Sequence, residues 1–220
     1  PETLPPERRA RVAVPALARG YVMLLRDGRF LALAVLPGIA MVVILSYVTG
    51  SPFVLQEEYG LSAAQFSGIF AAGGVGLVLG AQLNAAVVRR AGPARLLRWS
   101  LPAALLVAVV LLASAVTGLG GLLGILAPLW VILLLLGFVG GNATALAMTR
   151  HGERAGTAAA TIGFLQAGLA GGVSPLVGLL GGDGLAMSGV ILGGLLAGVL
   201  VLALATPAYR RDGWIELGNG

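Results

Sequence analysis

The sequence predicts an all-α integral membrane protein with six transmembrane helices, and three observations lead to this fold class. Only 10% of the 220 residues are charged and 58% are hydrophobic, whereas soluble domains carry about 25% charged residues. Six apolar stretches each approach the roughly 20 residues that a helix needs to cross a bilayer. All basic residues are arginines, and a six-helix topology places every one of them on the same side.

The first 29 residues are expected to form a cytoplasmic linker that contains an amphipathic helix. Residues 1–11 are rich in proline and charge, and from residue 14 to 29 apolar residues recur near helical spacing between arginines. This pattern is typical of a helix on the membrane surface, and an extension of the next helix into the cytoplasm explains it equally well. Because no signal peptide precedes the first apolar stretch, and Pro1 opens the chain, we expect a fragment of a longer protein.

The six predicted spans make up a transmembrane bundle over residues 30–205, and a cytoplasmic tail follows at 206–220. The spans are expected at residues 30–50, 63–88, 99–117, 125–148, 157–180 and 185–205. None of these spans contains Asp, Glu, His, Lys or Arg. A proton relay built from this chain alone is therefore excluded, since such relays use ionisable side chains inside the membrane.

The arginines predict the orientation of the bundle. Six precede the first span, four lie between spans two and three, two between spans four and five, and two follow span six. The opposite loops carry Glu57, Glu58 and Asp183 and no arginine. Because basic residues favour the cytoplasmic side, both ends of the chain are expected in the cytoplasm.

Residues 141–166 draw attention because two amides, Asn142 and Gln166, lie within apolar runs on either side of a short basic loop. An unpaired amide in hydrocarbon costs several kcal/mol, so each must face protein or a water-filled cavity. Gln166 is expected near mid-membrane, and substrate contact and an interhelical hydrogen bond are equally good interpretations. For Asn142 a structural hydrogen bond is favoured over substrate contact.

Two aromatic residues complete the cavity candidates. Phe138 lies one helical turn before Asn142 and shares its face, and Tyr47 lies in the first span, where an interfacial aromatic is the favoured interpretation. Asn84 continues a small-residue face with Gly80 and is assigned to helix packing. Spans three and six have no amide or charge in their centres, so they are expected to face lipid.

Residues 80–97, GAQLNAAVVRRAGPARLL, are interpreted either as an ordinary arginine-bearing loop on the cytoplasmic side or as a cytoplasmic gating loop. They resemble the loop between the second and third helices of each half of major facilitator transporters, with the approximate pattern G-x-L-x-D-R-x-G-R-R. Gly80, Arg90, Gly92 and Arg95 match this pattern once an insertion is allowed. The acidic residue of the pattern is missing, and Asn84 is the nearest polar residue.

Other strings extend the resemblance over residues 2–205. SPFVLQ at 51–56, YGLS at 59–62, GNATALA at 141–147 and AGTAA at 155–159 occur in this order. Together they resemble the C-terminal half of the Bcr/CflA-type drug-resistance branch of the major facilitator superfamily. The resemblance implies a bacterial inner-membrane protein of twelve helices, of which this chain supplies helices seven to twelve as two three-helix inverted repeats.

The function implied by this resemblance is secondary active efflux of small amphiphilic drugs, and hence multidrug and antibiotic resistance. The mechanism would be drug/proton antiport by alternating access, with the proton-coupling groups in an N-terminal six-helix half that this chain lacks. Two alternatives remain: a major facilitator exporter of a sugar or amino acid, and a non-transporting truncated membrane scaffold.

Enzymatic classes find no support in the sequence. An intramembrane protease needs an embedded Ser with His or a pair of Asp, and an ATPase needs a phosphate-binding glycine loop; neither pattern is present. His151 is the single histidine, and we expect it to be solvated in a loop without metal partners. We therefore predict a non-enzymatic protein with no cofactor, no metal site and no nucleic-acid partner.

Overall fold

A computed structural model describes residues 14–173, 175–207 and 209. Over these residues the fold is all-α, with six helical segments long and apolar enough to cross a membrane, which confirms the predicted fold class. The segments are Gly28–Glu58, Ala63–Ala91, Pro93–Thr117, Gly121–Met148, Gly152–Leu179 and Gly184–Ala205. The predicted linker before residue 14 and nearly all of the predicted tail lie outside the described residues.

The described residues contain nine α-helices, of which α1 precedes the six segments and the other eight form them. They are α1 (Val14–Arg26), α2 (Gly28–Pro52), α3 (Ala63–Ala91), α4 (Pro93–Thr117), α5 (Gly121–Leu136), α6 (Val139–Met148), α7 (Ala155–Val173), α8 (Leu176–Leu179) and α9 (Gly184–Ala205). A wider π-helical turn, Phe53–Glu58, prolongs α2, and a 3-10 turn, Gly152–Arg154, leads into α7. The fourth span is thus interrupted between α5 and α6.

Short polar side chains set the helix starts. Asp27 adopts an extended conformation and its Oδ1 accepts hydrogen bonds from the backbone N–H groups of Arg29 and Phe30, at 3.0 and 3.1 Å. Ser62 and Gln65 form a reciprocal capping box at α3, and Asp183 caps α9. Such caps satisfy backbone donors that a helix leaves unpaired. Because Asp27 ends α1 and starts α2, interpreting residues 14–29 as an extension of the first span is wrong.

Helix α2 lies at the centre of the bundle. It packs against α6, α7 and α9, while α4 packs against α5 and α9, and α3 against α5. Two-thirds of the most apolar stretch of the first span is buried (67%), against 17% for the second span and 18% for the fifth. The core therefore forms around the first span, and α3 and α7 leave broad faces uncovered.

The sixth span packs on the bundle along one side. In α9, 44% of the apolar stretch is buried, and Met187, Ile191 and Leu195 are completely enclosed. Glycines allow this packing, because Gly194 lies against Val43 of α2. Other side chains of α9, including Leu200 and Leu204, are 47% and 78% exposed, so contact of this helix with lipid on its outer side stays a prediction.

The two ends of the bundle carry different charges. At one end His151 contacts Asp27, and the Tyr209 hydroxyl donates to the Arg98 carbonyl at 2.9 Å. At the other end the Glu58 carboxylate accepts a hydrogen bond from the Gly184 N–H at 3.1 Å. These contacts join the arginine-bearing connections at one end and the acidic connections at the other, as the six-span topology requires.

Candidate functional site

A cavity of about 440 Å³ opens between α2, α5, α6 and α7. We call it the Gln166 cavity. Its lining residues are Pro37, Ala40, Met41, Ile44, Leu136, Gly140, Gly141, Thr144, Ala145 and Gln166. Only Thr144 and Gln166 contribute polar side chains, and none of the ten is charged. Of the four predicted cavity residues, the structure places Gln166 here and the other three elsewhere.

Glycine positions explain why the space exists. A Cβ atom at Gly38 of α2 would lie 3.2 Å from the Gln166 Cα and 3.3 Å from the Leu165 carbonyl oxygen. The backbones of α2 and α7 therefore touch at this point, which holds Gln166 at the cavity wall. On α6, Gly140 and Gly141 have no side chains, and no atom outside their own helix backbone lies within 4 Å of either Cβ position, so the space beside α6 stays open.

The Gln166 side chain is half-buried, and no hydrogen bond to it occurs among the described residues. An interhelical hydrogen bond, the second interpretation of this residue, thus has no partner in the part of the chain that the structure describes. A polar group in apolar surroundings is costly unless it is paired. The unpaired amide on a cavity wall is consequently available to a ligand.

Thr144 is a site residue that sequence reasoning missed. Serine and threonine in helices commonly donate to the carbonyl one turn earlier, as Ser46, Thr49 and Thr161 do here at 2.8 Å. Among the described residues the Thr144 hydroxyl has no such bond. The sequence could have indicated this role, because residues two apart on a helix point about 200° apart. Thr144 therefore lies on nearly the opposite side of α6 from Asn142.

Asn142 is buried and points away from the Gln166 cavity. Its Nδ2 donates to Asn84 Oδ1 at 2.7 Å and to the Phe138 carbonyl oxygen at 2.8 Å. Both amide hydrogens are therefore engaged, and the bond to Asn84 joins α6 to α3. The structural interpretation of Asn142 and the packing assignment of Asn84 agree with this geometry. Phe138 lies at the break between α5 and α6 and is absent from the cavity lining.

Tyr47 corrects an expectation, because it is buried inside the bundle rather than exposed as an interfacial aromatic would be, and it is not part of the Gln166 cavity. It is buried, stacks on Phe70 with ring centroids 5.2 Å apart, and donates its hydroxyl hydrogen to the Phe70 carbonyl at 3.1 Å. Together with Trp130 it lines a second cavity of about 270 Å³ between α2, α3 and α5. The indole N–H of Trp130 donates to the Ala72 carbonyl at 3.0 Å, so both polar tips are satisfied by α3.

The predicted gating loop separates into two unrelated parts. Gly80 lies well inside α3, where a Cβ atom would collide with the Leu134 carbonyl of α5, so it is a packing residue and no part of a loop. The connection itself is Gly92 alone, with φ of 79°, between Ala91 and Pro93. Arg90 ends α3 and Arg95 begins α4.

His151 also differs from its predicted solvated state. Its Nε2 lies 3.0 Å from Asp27 Oδ2, its ring meets Phe30 edge-on at 5.1 Å, and it is 14% exposed. Burial by itself raises the pKa of Asp27, but hydrogen bonds from Phe30, His151 and Arg29 outweigh burial and hold this pKa below the usual 3.8. The contact ties the connection between spans four and five to the start of α2.

Within the described ranges, no three His, Cys, Asp or Glu side chains come together in a way that could hold a metal ion. The chemistry available in the Gln166 cavity is thus hydrogen bonding from an amide and a hydroxyl, within apolar walls.

Comparison with known proteins gives a consistent result. Residues 1–175 match the Major Facilitator Superfamily. The chain is also similar to the protein described as uncharacterized MFS-type transporter YdgK of Bacillus subtilis (strain 168), with 32% identity over 178 residues. The alignment covers 81% of this chain and 44% of that relative, so the chain spans less than half the length of the curated relative.

Proposed function

The chain belongs to the major facilitator superfamily, a family of transporters rather than enzymes, and on this premise we propose that it acts in efflux. In this proposal it forms the C-terminal six-helix half of a secondary active exporter of small amphiphilic drugs in the bacterial inner membrane. The observation that carries the proposal is the Gln166 cavity. The strings at 51–62 and 141–159, which resemble the Bcr/CflA-type branch, support the assignment to multidrug efflux and antibiotic resistance.

The cavity walls favour an amphiphilic substrate. A volume of about 440 Å³ lies within the range of about 300–1,000 Å³ typical of small-molecule sites, which are mostly apolar with few polar groups. A charged metabolite or a sugar would leave most of its polar groups unpaired against these walls, at high cost. A mostly apolar compound with one or two hydrogen-bonding groups can pair with Gln166 and Thr144.

Proton coupling is assigned to the partner half. The six predicted spans within residues 30–205 contain no Asp, Glu, His, Lys or Arg, so we propose that an N-terminal six-helix half carries the proton-binding groups. That half would also cover the open faces of α3 and α7. Transport would then proceed by rocking of the two halves around the Gln166 cavity.

The test of this proposal replaces the two polar groups of the cavity in the full-length transporter. Gln166→Leu and Thr144→Val remove the hydrogen-bonding groups and keep the side-chain size. If substrate contacts these groups, each variant should keep normal abundance and thermal stability while resistance is lost for some compounds and retained for others. Resistance profiles against a panel of amphiphilic drugs, with abundance measured in parallel, give the readout.

Asn142→Leu is the matched control, because its amide bonds to Asn84 rather than to the cavity. It should lower stability and reduce resistance to all compounds equally. Such membrane hydrogen bonds contribute about 0.6 kcal/mol on average. An unchanged drug profile in both Gln166→Leu and Thr144→Val at normal abundance would contradict the proposed substrate site.

A further inference from the structure

Helix α1 presents one face to the bundle and leaves another uncovered. Leu24 is fully buried, and a Cβ atom at Gly20 would lie 3.7 Å from the Thr157 side chain of α7. The adjoining strip of α1 is apolar and exposed. It consists of Tyr21, Leu25 and Val22, which are 39%, 55% and 49% exposed. At 100° per residue, Tyr21, Leu25 and Val22 lie about 60°, 100° and 160° around the helix from Leu24. They therefore form one continuous strip.

Two arginines border this strip. On the same count, Arg26 and Arg19 lie about 200° and 220° around the helix from Leu24. The order around α1 is therefore a buried stripe, an exposed apolar strip and a basic edge. Helices that lie in the plane of a membrane interface have this arrangement, with apolar side chains in the boundary of the acyl chains and basic side chains among the headgroups.

The position of α1 along the chain also indicates that the exposed apolar strip contacts lipid. Asp27 alone separates α1 from α2, and the first candidate membrane span begins at Gly28. The end of α1 must therefore lie at the level where a bilayer begins. An exposed apolar strip at this level would meet lipid, because a membrane surrounds the bundle on all sides not covered by protein.

The basic side chains at this end of the bundle indicate which lipid headgroups α1 would contact. The arginine-bearing end of the bundle includes Arg26 and Arg150, with Asp27 and Glu153 as its acidic residues among those described. Asp27 is already engaged with His151 and the α2 backbone. Basic side chains near a membrane are attracted to anionic headgroups by about 1 kcal/mol each.

We propose that α1 binds the surface of an anionic bilayer, with Tyr21, Val22 and Leu25 inserted at the headgroup boundary and Arg26 against lipid phosphates. Since α1 also packs on α7, which carries Gln166, the bound lipid and the Gln166 cavity share one connecting helix. The proposal depends on the membrane-spanning fold and is independent of the transported compound.

The chain contains no cysteine, so single cysteines can report on the surroundings of α1 in the full-length transporter. Val22→Cys lies within the strip, and Met23→Cys is its control outside the strip, because the two side chains are 49% and 50% exposed but point about 100° apart. The Met23 sulfur contacts Arg154, so this position lies beside a basic side chain. Each is labelled with an environment-sensitive fluorophore. The protein is then reconstituted in vesicles of phosphatidylcholine alone or mixed with phosphatidylglycerol.

We expect spin-labelled lipids to quench the label at Val22 more strongly than the label at Met23, and phosphatidylglycerol to increase this difference. In the mixed vesicles Arg26→Gln should lower the ratio of bound to free α1 by about fivefold, the equivalent of about 1 kcal/mol per arginine. Leu25→Cys provides a second strip position in case the label at Val22 perturbs packing.

Four results would overturn the proposal in whole or in part. Equal lipid quenching at Val22 and Met23 would show that the strip has no preferred contact with the bilayer. Quenching of the Val22 label by aqueous iodide alone would place the strip in water, and protection from both quenchers would show that protein covers it. Insertion that does not respond to phosphatidylglycerol would remove the anionic-lipid part of the proposal.

Discussion

Single polar side chains in this bundle differ in role because their neighbours differ. Asn142 and Gln166 are both amides within apolar stretches, yet Asn142 donates to Asn84 and Phe138. Gln166 has no hydrogen-bond partner among the residues that the structure describes. In hydrocarbon such a difference separates a structural bond from a group available to a ligand. The substitutions at Gln166, Thr144 and Asn142 described above test this distinction one residue at a time.

A pH-dependent prediction concerns Asp27. Its pKa is held below 3.8 in the folded protein by hydrogen bonds that outweigh burial, so the carboxylate stabilises the fold above that pH and loses this contribution as pH falls through the folded pKa. We expect the thermal stability of the wild type to exceed that of Asp27→Asn near neutral pH and to approach it in the acid range. Melting curves of both proteins in detergent from pH 7 to pH 3 provide the measurement.

A stability difference between the wild type and Asp27→Asn that stays constant down to the lowest pH would contradict this account. Phe30→Leu is a useful control, because it removes the edge contact with His151 and leaves the carboxylate in place. Its effect on stability should not follow the titration of Asp27.

At the scale of elements, a glycine contact sets the crossing of α3 and α5. Gly80 lies against the Leu134 carbonyl, and a Cβ at Gly137 would lie 2.8 Å from the Gly80 Cα. Small residues let membrane helices approach this closely. The crossing lies next to the break between α5 and α6, and α6 forms one wall of the Gln166 cavity. A change in this contact between α3 and α5 should therefore alter the shape of the Gln166 cavity.

We predict that Gly80→Ala destabilises the protein, because the new methyl group meets a backbone carbonyl that cannot rotate away. Overpacking of this kind costs about 1–3 kcal/mol. Gly74→Ala in the same helix is the control, since no atom lies within 4 Å of its Cβ position. Unfolding of both variants in detergent should show a loss for Gly80→Ala and little change for Gly74→Ala. Equal stability of the two variants would disprove the close crossing.

At the scale of the whole molecule, the bundle combines a closed core around α2 with open faces on α3 and α7. Only 17% and 18% of the apolar stretches of the second and fifth spans are buried, against 67% for the first. Both weakly buried spans contact elements of the candidate site. This asymmetry supports the proposal that a second six-helix half packs on these faces in the complete transporter.

The orientation of the whole bundle can be tested by thiol labelling, because the chain has no cysteine of its own. Cysteine at Glu57 should react with a membrane-impermeant reagent added outside intact cells, since its connection carries acidic residues and no arginine. Arg150 is exposed in the structure, but a cysteine at this position should react only after the cells are opened. Labelling of the Arg150 position from outside would contradict the predicted orientation.

The sequence by itself determined the number and apolar character of the spans. The second span was expected at 63–88 and is found at Ala63–Ala91, whereas the first was expected to end at residue 50 and continues to Glu58. These are local properties, because a membrane helix satisfies its hydrogen bonds within its own segment and needs only length and hydropathy. Gln166 also followed from this reasoning, as an amide deep in a span.

Only the tertiary structure decided which side chains meet. Asn142 finds Asn84, a residue 58 positions away, Tyr47 reaches the Phe70 carbonyl, and Gly80 meets Leu134 of another helix. Helical periodicity defines the face on which a residue lies. The rotation and register of one helix against the next depend on packing of side chains far apart in the chain, which no single segment encodes.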